Sequence, residues 1–572
     1  MSLDQNIKKL LDQALSMQKQ GQIKEALGIY RQILQNNPRQ FETLQLIAVI
    51  AAEQGNYQDA VDFYSLALQV HPNHYFALYQ KGLAYKALGN VVKAIDSFSS
   101  AIKVNSKSID AYKNRAYLYL DQGHFSSALT DLSRCIELEP TNSSLWCDQG
   151  VVYQRLEQFV EAQKSYRRAL VLDQKNAIAL NNLGSLCIDL GRVEEAIECL
   201  SLANSINTKY ADASYNLGRA YHQGLMQLDK ALANYSKARS LNPQLKKIEW
   251  NESLCHLALG NYEQGWQDYE SRWQLADLPK QFFRDFTQPL WLGKEDLKGK
   301  TILLHAEQGL GDALQFCRYV PMVSALGAKV HLEVQESMVS LLKSLKGVEH
   351  IYARGQSLPP TDFHCPLMSL PLAFKTTLKT IPVQIPYLTA DRLKVEHWAN
   401  RLATRQNPSQ LKVGLVWSGG VRPDQRLEDA SWGQRRNISL DQIASLNLSN
   451  IDFFSLQKGN PAQEELVRRC SEVWPSPNLF NYVDELTDFS DTAALVENLD
   501  LIIAVDTSVV HLAGALGKPV WIMSRFDSCW RWLLERADSP WYPSARLYRQ
   551  KTPGDWGSVL AQVRQDLVGL KW

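Results

Sequence analysis

An excess of charge of either sign is what this sequence most plainly lacks. Its 61 Lys and Arg stand against 60 Asp and Glu, a formal +1. Proteins that bind nucleic acid usually carry a basic patch or stripe, so no polyanionic partner is expected, although Arg435 beside Arg436 suits a small anion. Nine cysteines occur without one Cys-x-x-Cys pair, and several, such as Cys135 and Cys199, fall on apolar positions of helical segments. That spacing argues against a zinc site and for buried, reduced thiols in a cytoplasmic protein. No run is long and apolar enough to span a bilayer. The opening MSLDQNIKKLLDQAL is amphipathic and lacks the apolar core and small-residue cleavage site of a signal peptide. With 45% hydrophobic and 21% charged residues, the composition is that of a folded protein.

What is present first is a 34-residue period. Small residues recur at Ala48, Ala60 and Ala67, then at Gly82, Ala94 and Ala101, then at Ala116, Ala128 and Cys135, and two further copies follow through Ala203. Aromatic or leucine residues at Tyr64, Phe98, Leu132, Tyr166 and Leu200 keep step, and Gly55, Gly89, Gly123 and Gly191 mark turns where a left-handed residue is wanted. Weaker units flank these, and the last, LALGNYEQGWQDYESRW, carries Gly265 where alanine is usual, with Trp266, Tyr269 and Trp273. The pattern resembles the tetratricopeptide repeat, whose paired helices meet where only small side chains allow close approach. Residues 1–273 are expected to hold about eight helix pairs, the divergent last one docking on something through its aromatics. The resemblance implies a protein or peptide in the concave groove, while self-association or a spacer role stays open. Asn114, Asn181, Asn182 and Asn216 recur on first helices and offer donor and acceptor to a peptide backbone, or serve as solvated polar positions.

After an irregular connector, 274–297, with apolar plugs at Phe282 to Phe286 and at Trp291, the pattern alternates. TILLH, KVHLEV and HIYAR read as strands in 298–395. KVGLVWSG, DFFSLQ, LDLIIAV and PVWIM do so in 411–572, with helices between. Such alternation predicts parallel sheets with helices on both faces, here two Rossmann-like units facing a cleft. The fold class expected is an α superhelix of repeats followed by an α/β region.

Two motifs carry the chemistry. HAEQGLGDALQ leads from a strand through a glycine turn into a helix. Its Gly309 and Gly311 match two glycines of a dinucleotide fingerprint, with Glu333 near the distance of the acidic partner, but Leu314 holds the third glycine's place. NLDLIIAVDTSVVHLAGALG sets Asp506, Thr507 and Ser508 between a strand end and a helix start. Free amides there suit a diphosphate, and His511 follows one turn later. An ordinary N-capped helix explains Asp506 or Thr507, though not His511 beside them.

This second segment resembles the donor-site motif of the bacterial heptosyltransferases, glycosyltransferase family 9, Asp-Thr-(Gly or Ser)-x-x-His-x-Ala, and Gly311-Asp312 is similar to that family's glycine-aspartate turn. The resemblance covers about 300–572 and implies a GT-B fold and inverting, metal-independent transfer from a nucleoside diphosphate sugar, with no cofactor. It assigns Asp312 as general base, a role that the turn geometry also favours over Glu307 and His305, although a carboxylate there could instead cap the helix that follows. Gly309, Gly311, Gln315 and His305 are read on the acceptor side, with Gln315 and Arg318 one helical turn beyond Asp312. On the donor side it implies Asp506, Thr507, Ser508 and His511. Lys458, Gln457 and Arg436 are added as candidate phosphate partners, and Trp417 and Ser418 as sugar or nucleotide contacts. The departures are Ser508 where glycine is common, Gln457-Lys458 in place of the family's lysine context, and a C-terminal SRFDSCWRWLLERADSPWYPSARLYRQ closer to repeat-fused protein glycosyltransferases. They do not single out heptose. The loop 419–437, rich in glycine and arginine, reads as an active-site loop or a solvated insertion. Two other classes stay open: a scaffold whose transferase region only binds, and a dinucleotide enzyme using Gly309 to Gly311.

Overall fold

The computed structural model describes residues 3–275, 284, 286–403, 410–420 and 435–570. The chain divides into two compact units, Met1–Leu186 with Glu198–Thr208, and Cys187–Ile197 with Lys209–Trp572.

The described residues from Leu3 to Tyr269 form sixteen α-helices in eight consecutive pairs. Sequence dictates each pairing through volume. Ala60, Ala94, Ala128 and Ala162 are wholly buried, and a Cβ added at Gly150 would sit 2.5 Å from the ring of Tyr166, so the first helix of that pair can approach only without a side chain there. The turns take the left-handed conformation at Gly21, Gly55, Gly89, Gly123 and Gly191, and at Glu157, with φ 61°, where one unit has no glycine. Of the recurring asparagines, Asn114 and Asn182 have partners one repeat back, as does Asn251, whereas Asn181 Nδ2 donates to Asn182 Oδ1 and Asn216 Oδ1 accepts from Arg219 Nη1. Asn114 Nδ2 donates to Tyr79 OH at 3.2 Å, Asn182 Nδ2 to Cys147 Sγ at 3.6 Å, and Asn251 Nδ2 to Tyr215 OH at 3.0 Å. These amides stitch one repeat to the next, a use of asparagine the sequence reading did not foresee.

The second unit takes in the last two pairs, Ala211–Arg219 with Leu228–Leu241 and Lys247–Ala258 with Tyr262–Tyr269, together with two parallel sheets. The first sheet has β1 (Thr301–His305), β2 (Lys329–Val334), β3 (Val348–Ala353) and β4 (Phe363–Pro366) in the order β3-β2-β1-β4. The second has β5 (Leu411–Val416), β6 (Ile451–Ser455), β7 (Leu479–Asn481), β8 (Leu501–Val505), β9 (Val520–Ser524) and β10 (Ala545–Arg549), in the order β10-β9-β8-β5-β6-β7. Every pairing between these strands is parallel, in keeping with the near-continuous apolar runs of LIIAV and VWIM, covered on both faces. A helical repeat array followed by an α/β region with parallel sheets of four and six strands, as in a GT-B-like domain, is the fold.

The aromatic end of the array is buried against this α/β region. Trp266 meets Trp530 at 5.3 Å between ring centroids and Phe316 at 6.2 Å, and its Nε1 donates to the Thr376 carbonyl at 3.2 Å. Trp541 Nε1 donates to Tyr262 OH at 3.1 Å. Gly265 replaces the usual alanine because an added Cβ would lie 2.7 Å from Leu257. Trp291 is a buried plug, as its place in the connector suggested; of the other, Phe286 stacks on His305 and His364, while Phe282 and Phe283 lie outside the described residues. Among those residues no helix is long and apolar enough to cross a membrane.

Candidate functional site

In open parallel sheets ligands bind at the carboxyl ends of strands where the order reverses. In the second sheet that point lies between β5 and β8, the neighbours flanked by β6 on one side and β9 on the other. β8 ends at Val505 and runs through Asp506 into helix α2 (Ser508–Leu516). Thr507 is the N-cap in extended backbone, yet its side chain makes no capping bond, and its buried Oγ1 has no partner. The first amides of α2 therefore lack a capping bond from Thr507 and have its hydroxyl beside them, an arrangement suited to an anion. Arg436 spans the two strand ends: Nη1 donates to the Asp506 carbonyl at 3.1 Å, and the guanidinium lies so close to Gly419 that a Cβ there would meet Nη2 at 2.0 Å. Lys458 donates to the Leu486 carbonyl.

The acceptor-side turn is in direct contact with this helix. Helix α1 (Leu310–Phe316) follows its N-cap Gly309, and a Cβ on Gly311 would lie 2.7 Å from His511 Cδ2 and 3.6 Å from Ser508 Cα. The missing side chain of Gly311 makes room for His511, not for a pyrophosphate, which removes the geometry a dinucleotide fingerprint needs. Glu333, the acid such a fingerprint would use, is buried and ion-paired with Arg284. His511 itself is buried, with Nδ1 3.0 Å from Tyr542 OH and its ring stacked on Trp532 at 5.4 Å. Burial, then the nearby Arg531 and Arg318, hold its imidazole well below the ordinary histidine range, so it is neutral at pH 7. Tyr542 occupies the space a Gly514 Cβ would need, and Gly517 ends α2 in the left-handed conformation.

Asp312 lies on the first turn of α1. Its Oδ2 accepts from the Gly309 amide at 2.8 Å, and Oδ1 accepts from Arg531 Nη2. The same guanidinium donates Nε to Gln315 Oε1 at 2.8 Å. Arg531 was missed by the sequence reading. The one signal for it was a lone cation between two tryptophans, a setting that demands a partner when buried.

Several candidates sit elsewhere than expected. Gln457 is wholly buried; its Oε1 accepts from the Trp417 and Ser418 amides at 3.1 and 2.8 Å and its Nε2 donates to the Ser418 carbonyl at 3.0 Å. That amide is spent on tying β5 to β6 rather than on a ligand. The Trp417 ring packs in the core under the second sheet, so of the pair only the Ser418 end approaches the switch point. His305 is buried at the end of β1 with Nε2 3.2 Å from His364 Nδ1; burial, then His364 and Arg284, hold it well below its ordinary value. Both imidazoles are neutral and face each other instead of Asp312. Arg318 donates to the carbonyls of Pro382 and Trp541 and to Tyr387 OH, a structural tie, and of the loop 419–437 the residues 421–434 lie outside the described set.

Glu307, the alternative base, is buried 3.2 Å from Arg272 Nη2. Burial pushes its carboxyl up to about 7 against the pull of Arg272. A carboxyl that holds its proton more tightly folded than unfolded adds stability below its ordinary value of 4.5 and loses it as pH rises through about 7. The melting temperature is therefore expected to fall across that window, and Glu307→Gln to flatten the slope, as thermal melts over a pH series would show.

The α/β region thus joins two Rossmann-like sheets, and the Gly311 turn, next in sequence to Asp312, packs on the first turn of α2. Ahead of this region the chain carries tetratricopeptide repeats. Family models for the tetratricopeptide repeat match residues 109–142 and 143–176, one for the TPR repeat matches 184–224, and one described as the TT21 fifth ARM repeats domain matches 11–120. Protein FlbA of Caulobacter vibrioides is 26% identical over 416 residues, 68% of this chain and 66% of FlbA. That span is longer than the repeat array, so the likeness includes part of the α/β region. The chain covers slightly less than two thirds of that relative. Among solved structures, YrrB, described as a TPR protein with an unusual peptide-binding site, is 20% identical, covering 32% of this chain and 95% of its own, with a TM-score of 0.27. A tetratricopeptide-repeat protein from Parabacteroides merdae is 16% identical, covering 44% and 99%, with a TM-score of 0.36.

Proposed function

We propose that the chain is a cytoplasmic glycosyltransferase that moves a sugar from a nucleoside diphosphate sugar to an acceptor, a protein held by the repeats. In this reading residues 298–395 form the acceptor half and 411–572 the donor half. The observation that carries it is the unpartnered Thr507 hydroxyl at the open start of α2, beside Arg436 and in contact with the Gly311-Asp312 turn. The acceptor oxygen bonds to the anomeric carbon as the bond from that carbon to the diphosphate oxygen breaks. The diphosphate leaves with the electron pair, and the acceptor proton passes to the Asp312 carboxylate. Charge growing on the diphosphate is met by the α2 amides, Thr507, Ser508 and Arg436, donors already in place before reaction. Asp506 shapes the strand end through its carbonyl bond to Arg436.

A non-catalytic scaffold is the competing reading, favoured by one observation: both oxygens of Asp312 are already engaged. Thermal-shift measurement against UDP-GlcNAc, UDP-glucose, GDP-mannose and ADP-heptose, with NAD and FAD as controls, separates the readings at the binding step, because a ligand bound to the native state raises its melting temperature. The expected result is a shift with a sugar nucleotide that disappears in Thr507→Val and Asp506→Ala. A shift with NAD or FAD alone would overturn the proposal.

A further inference from the structure

Three consecutive residues after β9 reach three different elements. Trp530 meets the repeat end at Trp266, 5.3 Å between centroids, and Trp532 stacks on His511 of α2. Arg531, between them, turns to α1. Its Nη2 donates to Asp312, its Nε to Gln315 at 2.8 Å and its Nη1 to Cys529 Sγ at 3.1 Å, and its guanidinium lies 4.3 Å from the Trp530 ring centroid. Gln315 is wholly buried, so this anchor is fixed in turn. Although burial disfavours its charge, Asp312 holds Arg531 firmly protonated.

The backbone supports the same placement. Leu533, the next residue, has φ 53° and ψ −164° and is buried. A non-glycine residue is held there only when its surroundings over-determine the conformation, and such strain gathers at functional sites. The guanidinium is thus fixed by packing on both sides and by three hydrogen bonds.

We propose that Arg531 is a positioning residue for Asp312 in the transfer reaction, a role that rests on the transferase reading. With the Gly309 amide on Oδ2 and Arg531 Nη2 on Oδ1, the carboxylate has one orientation, and the second lone pair of each oxygen stays available to take the acceptor proton. A base aligned in advance avoids the cost of finding that geometry in each turnover. Gln315 aligns the fork, and Trp530 and Trp532 fix the turn that carries it.

The test uses full-length wild type, Arg531→Gln, Arg531→Lys, Asp312→Asn and the Asp312→Asn/Arg531→Gln double variant, measuring nucleoside diphosphate released from UDP-GlcNAc, UDP-glucose, GDP-mannose and ADP-heptose. Arg531→Gln is expected to lower kcat on the order of tenfold to a hundredfold, with the donor KM within about twofold of wild type. Arg531→Lys, which keeps the charge and loses the fork, recovers part of the rate. The double variant is no slower than Asp312→Asn, because a residue acting only through Asp312 adds nothing once the carboxylate is gone. If Arg531→Gln does not yield folded protein, Gln315→Leu, which removes the Nε partner and leaves the cation, carries the same expectation at smaller size. Wild-type kcat in Arg531→Gln, an effect confined to KM, or independent losses that multiply in the double variant would overturn the proposal. A wild type that releases no diphosphate from any probe counts against the transferase reading itself, and is so told apart from an active wild type indifferent to Arg531.

Discussion

Asp312→Asn is expected to slow sugar transfer by roughly 10²–10⁴-fold while leaving the sugar-nucleotide thermal shift in place. The substitution keeps the shape of the side chain, and an asparagine oxygen can still accept from the Gly309 amide, so the start of α1 survives. What disappears is the proton acceptor. Arg531 loses its anionic partner but keeps Gln315, Cys529 and the face of Trp530, which limits the damage of an unpaired buried cation. The donor-side groups, Thr507, Ser508 and Arg436, belong to the other half and are untouched. Diphosphate release measured alongside the thermal shift decides the matter. Full turnover would remove Asp312 from the chemistry, and loss of both signals would mean that the variant had damaged the site as a whole.

Trp266→Ala is expected to destabilise the second unit by about 3–5 kcal/mol, the range for deleting a large buried aromatic side chain. Trp266 is 1% exposed, and its ring is in contact range of Tyr262, Tyr269, Phe316, Trp530 and Trp541. Truncation leaves a cavity in a setting built from rigid rings, which collapse poorly into a void, and it strips the Thr376 carbonyl of its donor. Equilibrium denaturation followed by tryptophan fluorescence gives the value. A loss under 1 kcal/mol would show that the aromatic end of the repeats merely leans on the α/β region. A full loss would mean that this region cannot be produced without residues 209–273, because its core is completed by them.

Much of the architecture was legible because it is periodic. Seven strands show as apolar runs bounded by turn signals, and α2 declares both its ends, Thr507 and Gly517. The strands that sequence reading passed over are β4, β7 and β10. Phe363–Pro366 closes on a proline, Leu479–Asn481 is three residues long, and Ala545–Arg549 places arginines at two of its five positions, so none presents the run that marks a buried strand. The site was legible only in halves. Each motif names its own backbone feature, the glycine turn or the helix start, but nothing local pairs Arg531 with Asp312 across 219 positions. Nor does anything local say that Gln457, next to a strand end, would be consumed by the backbone of β5. A polar side chain near a catalytic loop reads the same from sequence whether it meets a ligand or a neighbouring carbonyl.

The asparagine bonds along the repeats have a bearing on how such a chain can change over evolutionary time. They join residues 35, 35 and 36 positions apart, close to one full unit in every case. Duplicating or losing a whole unit re-forms the seam with equivalent partners on each side. A gain or loss of any other length leaves an amide without its tyrosine or cysteine, and turns every later first helix out of register. Growth and shortening of the array are thereby quantised, and its number of helix pairs can change in steps of one unit without rebuilding the α/β region at its end.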